Sequence, residues 1–245
     1  MEQTNTSGSA FKRWLERTFT VKNIAVTSVL TAISFVLYAF VKFKLPFIFP
    51  AFLDVQFSDM PALLAGFSMG PIAGCVVIIV KCGMKMIFGM SQTACVGELA
   101  DIFIGIAFVL PASLVYRKLK TKKGAVLSLV VGSVIAIVVS IFANRWVLVP
   151  FYAKAYGMDA IIGMVASLYD GVTAETFYNY YLPLGVAPFN ALRCVVCAVI
   201  TFLVYKPLSR ALHWEFASKK RDETADVPAE QDQTAQTVAK DDDLR

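Results

Sequence analysis

The sequence predicts an all-α, polytopic membrane protein with six transmembrane helices and both termini in the cytoplasm. Three observations carry that expectation. The chain of 245 residues is 57% hydrophobic, with a mean hydropathy of +0.63. Only 17% of it is charged, against about 25% in soluble domains. Apolar runs of bilayer length recur between basic loops, and one carries no charge from Met60 to Val80.

The first 22 residues are polar and basic and read as a cytoplasmic segment. The apolar run after them is too long for a cleavable signal and lacks a small-residue cleavage site. It is the first span, Ile24 to Val41. Asp59 and Pro61 then mark a helix start, and Gly70-Pro71 marks a break in apolar sequence. The second span is therefore Met60 to Met69 and the third Pro71 to about Met86. The fourth runs from about Val96 to Tyr116, the fifth from Ala125 to about Val149, and the sixth from about Val186 to Lys206. The six-helix domain covers residues 23–214, and residues 215–245 are expected to form a disordered acidic cytoplasmic tail.

The second span is short, because ten residues of helix rise only about 15 Å. Merging it with the third would give five spans and put Arg117, Lys118, Lys120, Lys122 and Lys123 outside. Six spans place that loop inside with Lys12, Arg13, Arg17 and Lys22 and with the C-terminal Lys206, Arg210, Lys219, Lys220 and Arg221. The outer side then holds only Lys42, Lys44 and Lys154, as the positive-inside rule prefers. Between spans, the segment Phe43 to Asp59 is expected to dip inward as a lid. The outer segment Tyr152 to Leu184 is expected to carry a short helix near Ala160–Leu168.

The chain holds no G-x-x-x-x-G-K-[ST] or H-E-x-x-H sequence. Solute movement would therefore draw on a gradient or on a partner's ATPase. One His and scattered carboxylates leave little for a metal site, a cofactor or an acid–base enzyme, and no nucleic-acid partner is expected. Cys194 and Cys197 have C-x-x-C spacing, but Val195, Val196, Ala198 and Val199 around them fit a membrane helix better than a redox or zinc site.

Charges within spans are the functional candidates. Lys81, Lys85, Arg145 and Arg193 are either site residues or side chains that snorkel to water. Glu98 and Asp101 are either site residues or acids suited to a helix N-terminus. Asn190, beside Pro188, is either a helix N-cap or a ligand group sharing a face with Arg193 three residues on. Asn144 is a second amide at comparable depth. An amide and a guanidinium together suit an uncharged ring edge that alternates carbonyl and N–H. Ser28 and Ala32 make a small-x-x-x-small pair, a candidate helix-docking face.

Five stretches carry a resemblance to a known family: FSDMPALLAGFSMGP at 57–71, VIIVKCGMK around Lys81, GELADIFIG at 97–105, ANRWVLVPFY at 143–152 and PFNALRCVVCAVITFLVYKPLS at 188–209. The chain resembles the riboflavin-specific substrate-binding (S) components of energy-coupling factor (ECF) transporters over roughly residues 20–212. The resemblance implies a six-helix protein of the prokaryotic cell membrane that captures riboflavin from outside. Riboflavin would be cargo and not a cofactor. The implied partners are a transmembrane coupling subunit and two cytosolic ATPases. By the family pattern, Asn144, Asn190 and Arg193 hold the flavin ring; the intramembrane charge Lys81 and the aromatic Phe57 are further candidate substrate contacts. The Ser28 and Ala32 face docks on the coupling subunit. Phe57, Trp146 and Tyr152 are either aromatic walls of the pocket or aromatics of the membrane interface. This chain departs from the pattern at Gln56, where an acid is usual, at Asp101, often Asn, and at Arg193, often Lys. An S component for another vitamin is the nearest rival. A membrane enzyme would need a convergent catalytic set, and a secondary transporter an internal repeat with coupling carboxylates; neither is evident in the sequence.

Overall fold

The computed structural model describes residues 20–45, 47–50, 53–91 and 94–204. Contacts divide the chain into two units between Leu203 and Val204, and the first holds the ribbon, the cavity and the charge network. The acidic tail, the N-terminal basic segment and the end of the sixth span lie outside the described residues.

Helix α1 spans Val21–Phe40. A two-stranded antiparallel ribbon comes next, β1 (Lys42–Lys44) against β2 (Asp54–Gln56), with Phe43 opposite Val55. Helix α2 is Asp59–Ser68, with Asp59 in its first turn, and α3 is Pro71–Ile87. Between them Gly70 takes φ 113°, open only to glycine without strain, and Pro71 starts the next helix with its fixed φ. Helix α4 is Val96–Leu119. Thr121 then caps α5 (Lys122–Ala143) by accepting a hydrogen bond from the Gly124 amide at 2.9 Å.

Three prolines, Pro150, Pro183 and Pro188, lie in or just after the π turns of the C-terminal half. Helix α5 passes through a π turn, Asn144–Leu148, into α6 (Val149–Tyr156), which has Pro150 in its first turn. After α7 (Met158–Ala166), a short α8 (Phe177–Tyr180) runs through a second π turn, Tyr181–Val186, which contains Pro183. It continues as α9, residues 187–204. Proline offers no N–H and crowds the carbonyl four residues back. A widened turn relieves both problems, with Val149 N–H bonding to Asn144 and Ala187 N–H to Leu182, each five residues back.

Apolar burial does not drive helices together in lipid, so close packing must. The core is accordingly rich in small residues: Ala62, Ala65, Ala73, Ala112 and Ala136 pack with Leu63, Val77, Phe108 and Val109. Gly132 of α5 lets that helix cross close to the α4 backbone, since a Cβ there would sit 2.5 Å from the Phe108 carbonyl oxygen. Helix direction alternates. The end of α1 (Tyr38), the start of α2 (Asp59), the end of α3 (Lys81, Lys85) and the start of α4 (Glu98, Asp101) meet at one level.

The helix start at Asp59–Pro61, the break at Gly70-Pro71 and a short helix near Ala160–Leu168 appear as expected from sequence. Four helical stretches are long and apolar enough to cross a membrane: Val21–Phe40, Val96–Leu119, Lys123–Tyr156 and Phe177–Val204. Among the described residues the fold is mostly helical, and the all-α expectation needs amending only for the short ribbon at the segment Phe43 to Asp59. The fifth helical stretch runs on to Tyr156, well past Val149, and the last begins at Phe177, well before Val186. Helical periodicity breaks at a π turn, which is why the sequence pattern loses both stretches there.

Candidate ligand site and its charge network

The ribbon and the helix ends beside it enclose a cavity of about 320 Å³, within the usual range for small-molecule sites. Its walls differ in character. Leu148, Tyr152, Tyr156, Ile161, Met164 and Phe189 form an apolar and aromatic part. Tyr38, Gln56, Lys85, Glu98, Asp101 and Arg193 form a polar part, and Lys42, Lys44 and Asp54 of the ribbon complete it. Asn144 and Asn190 line the cavity from two different helices.

The two asparagines are held alike. Asn144 Nδ2 donates to the Ser140 carbonyl at 2.9 Å, and Asn190 Nδ2 to the Val186 carbonyl at 2.9 Å. Each bond reaches back four residues and fixes the amide against its own helix. Asn144 Oδ1 also accepts from the Tyr181 hydroxyl at 2.7 Å. Asn190 lies inside the continuous Phe177–Val204 helix. That overturns the N-cap alternative, because a cap must stand at a helix end with a free N–H ahead of it.

Arg193 lines the cavity, but its guanidinium is committed to carboxylates. Nε and Nη2 donate to Asp59 Oδ2 at 3.0 and 2.8 Å, and Nη1 donates to Asp101 Oδ1 at 2.8 Å. Asp59 Oδ1 takes Lys81 Nζ at 2.5 Å, and that ammonium also donates to Ser58 Oγ at 2.7 Å. Asp101 Oδ2 accepts from the Tyr38 hydroxyl at 2.7 Å and from Gln56 Nε2 at 2.9 Å. Two cations and two anions thus form one neutral network joining α1, β2, α2, α3, α4 and α9. Buried ions are tolerated at this depth only when paired and hydrogen-bonded.

A second neutral pair adjoins the first. Lys85 Nζ lies 2.8 Å from Glu98 Oε1 and 4.0 Å from the Tyr38 ring centroid, and Ser91 Oγ donates to Glu98 Oε2 at 2.7 Å. At the ribbon, Lys42 and Asp54 stand 3.9 Å apart. Partial burial holds the Lys42 pKa below the ordinary lysine value, and the nearby Lys85 charge lowers it further.

The structure sorts the sequence-predicted residues. Asn144, Asn190, Arg193 and Tyr152 come together at the cavity. Lys81 and Phe57 are not among its lining residues. Lys81 is fully buried behind Asp59, and Phe57 packs against Phe43 with ring centroids 5.5 Å apart. Trp146 also faces away, 70% exposed; Arg145 is exposed too, its guanidinium over the Tyr178 ring at 4.6 Å. Lys85 is buried against Glu98, so neither snorkelling nor a simple helix-terminus role describes that pair. Sequence reasoning read Asp59 only as a helix start and missed Tyr38 and Gln56 as polar partners. The available signal was charge balance: Lys81 and Arg193 needed acids at their depth.

Ser28 and Ala32 lie far along α1 from Tyr38 and are exposed. They line a mostly apolar groove between α1 and α3 with Ile24, Ile72, Val76 and Val80.

The family described as ECF transporter, substrate-specific component, matches residues 22–205. The riboflavin transporter RibU of Staphylococcus aureus (strain TCH60) is 32% identical over 191 residues, which is 78% of this chain and 92% of that protein. The riboflavin transporter FmnP of Bacillus subtilis (strain 168) is 30% identical over 186 residues, 76% of this chain and 90% of its own. A solved S component of a bacterial ECF transporter superposes with a TM-score of 0.61 at 30% identity, covering 78% of this chain and 97% of that one.

Proposed function

Because the chain belongs to the substrate-specific components of ECF transporters, we propose that it is the riboflavin-binding membrane subunit of such a transporter in a prokaryotic cell membrane. It is a transport subunit and not an enzyme, and riboflavin is its cargo. The observation that carries the substrate is the pair of amides, Asn144 and Asn190, converging on a cavity with an apolar, aromatic wall. A flavin ring is flat and apolar with one imide edge that alternates carbonyl and N–H. An amide supplies both a donor and an acceptor to such an edge. The hydroxylated side chain of riboflavin suits the polar wall around Glu98 and Asp101. Arg193 acts at one remove from most of its charge, since Asp59 and Asp101 already hold its guanidinium.

The chain crosses the membrane six times with both ends in the cytoplasm. Alternating helix direction and the basic loop at residues 117–123, remote from the cavity, support that count. The ribbon side faces outside and admits the ligand. The Ser28–Ala32 groove docks on a transmembrane coupling subunit, which two cytosolic ATPases drive.

Titration of the purified chain with riboflavin tests the substrate. Stoichiometric 1:1 binding with fluorescence quenching is expected. Absence of quenching, together with no competition by any flavin, would overturn it. Vesicles holding this chain alone should show only background uptake with or without ATP; accumulation against a gradient would refute the need for partners.

A further inference from the structure

Tyr181 is buried, 1% exposed, and is not among the cavity-lining residues. Its place is fixed from several sides. It opens the π turn that contains Pro183. Its ring stacks on Phe177 at 5.1 Å between centroids, and Gly185 leaves room for it, since a Cβ there would lie 3.2 Å from the ring. The hydroxyl then donates to Asn144 Oδ1 at 2.7 Å, across to the first residue of the other π turn.

Asn144 is therefore pinned at both ends of its amide. The oxygen accepts from Tyr181, and the nitrogen donates to the Ser140 carbonyl. Turning the amide over would set its oxygen against that carbonyl, two acceptors face to face. One N–H and one oxygen lone pair remain, in fixed order, for a ligand.

We propose that Tyr181 is a positioning residue of the binding site: through Asn144 it sets the order of donor and acceptor that the cavity presents, and so selects flavins by their imide edge. This rests on the reading that Asn144 meets that edge. A merely structural Tyr181 would satisfy its own buried hydroxyl and hold the fold, with no effect on selection among ligands.

The test compares riboflavin with 3-methylriboflavin, in which a methyl group replaces the imide hydrogen. Tyr181→Phe should weaken riboflavin roughly tenfold, the scale of one hydrogen bond left unmade. The 3-methyl compound, which cannot use the full edge, should lose much less, so the affinity ratio narrows. Equal losses for both ligands, or no loss for either, overturn the proposal. If Tyr181→Phe does not fold, 3-fluorotyrosine at position 181 keeps the shape and makes the hydroxyl a stronger donor. The ratio should then widen, and an unchanged ratio overturns the proposal. Asn144→Leu separates the two layers. Normal riboflavin binding by that variant removes the placement of the edge, and the role of Tyr181 with it. Weakened binding by Asn144→Leu beside an unaffected Tyr181→Phe sinks the role of Tyr181 alone.

Discussion

Arg193 meets Asp59 through two N–H groups on a single carboxylate oxygen, Nε at 3.0 Å and Nη2 at 2.8 Å. The other oxygen of Asp59 is left for Lys81, at 2.5 Å. One carboxylate thus neutralises parts of two cations that come from α3 and α9. The second acid, Asp101, restores the balance by taking Nη1. The arrangement makes stability depend on charge parity more than on any one residue.

Removing one member leaves an uncompensated buried charge, which costs about 3–5 kcal/mol. Asp59→Asn and Lys81→Met are each expected to lower the melting temperature in detergent sharply. The double variant leaves Arg193 paired with Asp101 and is neutral again. Its loss should fall short of the sum of the singles by about 0.5–3 kcal/mol, as for residues sharing one network. Additive losses would show that the ions act separately.

How much was legible in the sequence depends on how local each signal is. The amides at Asn144 and Asn190 stood out as ring contacts through the family resemblance, whereas the helix start at Asp59 and the turn at Gly70-Pro71 rest on chemistry within a few residues. The latter two readings needed no partner. The pairing of Lys81 with Asp59 spans 22 positions and that of Arg193 with Asp59 spans 134. Nothing in local sequence specifies either contact, so Lys81 read as a substrate contact when it is a buried counter-ion behind the wall. Phe57 failed similarly, because an aromatic near a site can pack either inward or against a neighbour such as Phe43. The π turns hid the true helix ends at Tyr156 and Phe177, since a proline in apolar sequence ordinarily signals a stop.

Asn190→Leu tests the site without touching the network. The variant removes an amide that faces the cavity in mid-helix and replaces it with a good helix former. An imide edge left desolvated and unpaired costs about 1–3 kcal/mol per bond. Riboflavin affinity should fall roughly tenfold to hundredfold, with the melting temperature of the unliganded protein little changed. Normal affinity in calorimetry would remove Asn190 from the site.

Ser28→Leu and Ala32→Leu address the groove at the other end of α1. Both side chains are exposed and small, and a leucine at either would fill the close approach that a partner helix requires. Riboflavin binding by the isolated chain should be unaffected, because the groove and the cavity share no lining residue. Uptake by the assembled transporter should drop. Unimpaired uptake by both variants would mark the groove as ordinary lipid-facing surface.

Gln56→Leu isolates the ribbon. Gln56 belongs to β2, is only 5% exposed, and its Nε2 donates to Asp101 Oδ2 at 2.9 Å. That bond ties the strand lining the cavity to the network beneath it. Leucine keeps the bulk and removes the tether, while Asp101 retains Arg193 and Tyr38. A hydrogen bond to a charged group contributes about 1.5–3 kcal/mol, and losing it should let the ribbon lift more often. Bound riboflavin should then leave roughly tenfold to hundredfold faster, while its association rate changes little. Stopped-flow recovery of flavin fluorescence on dilution or competition measures the release. An unchanged release rate would mean that the ribbon lines the cavity without holding it shut.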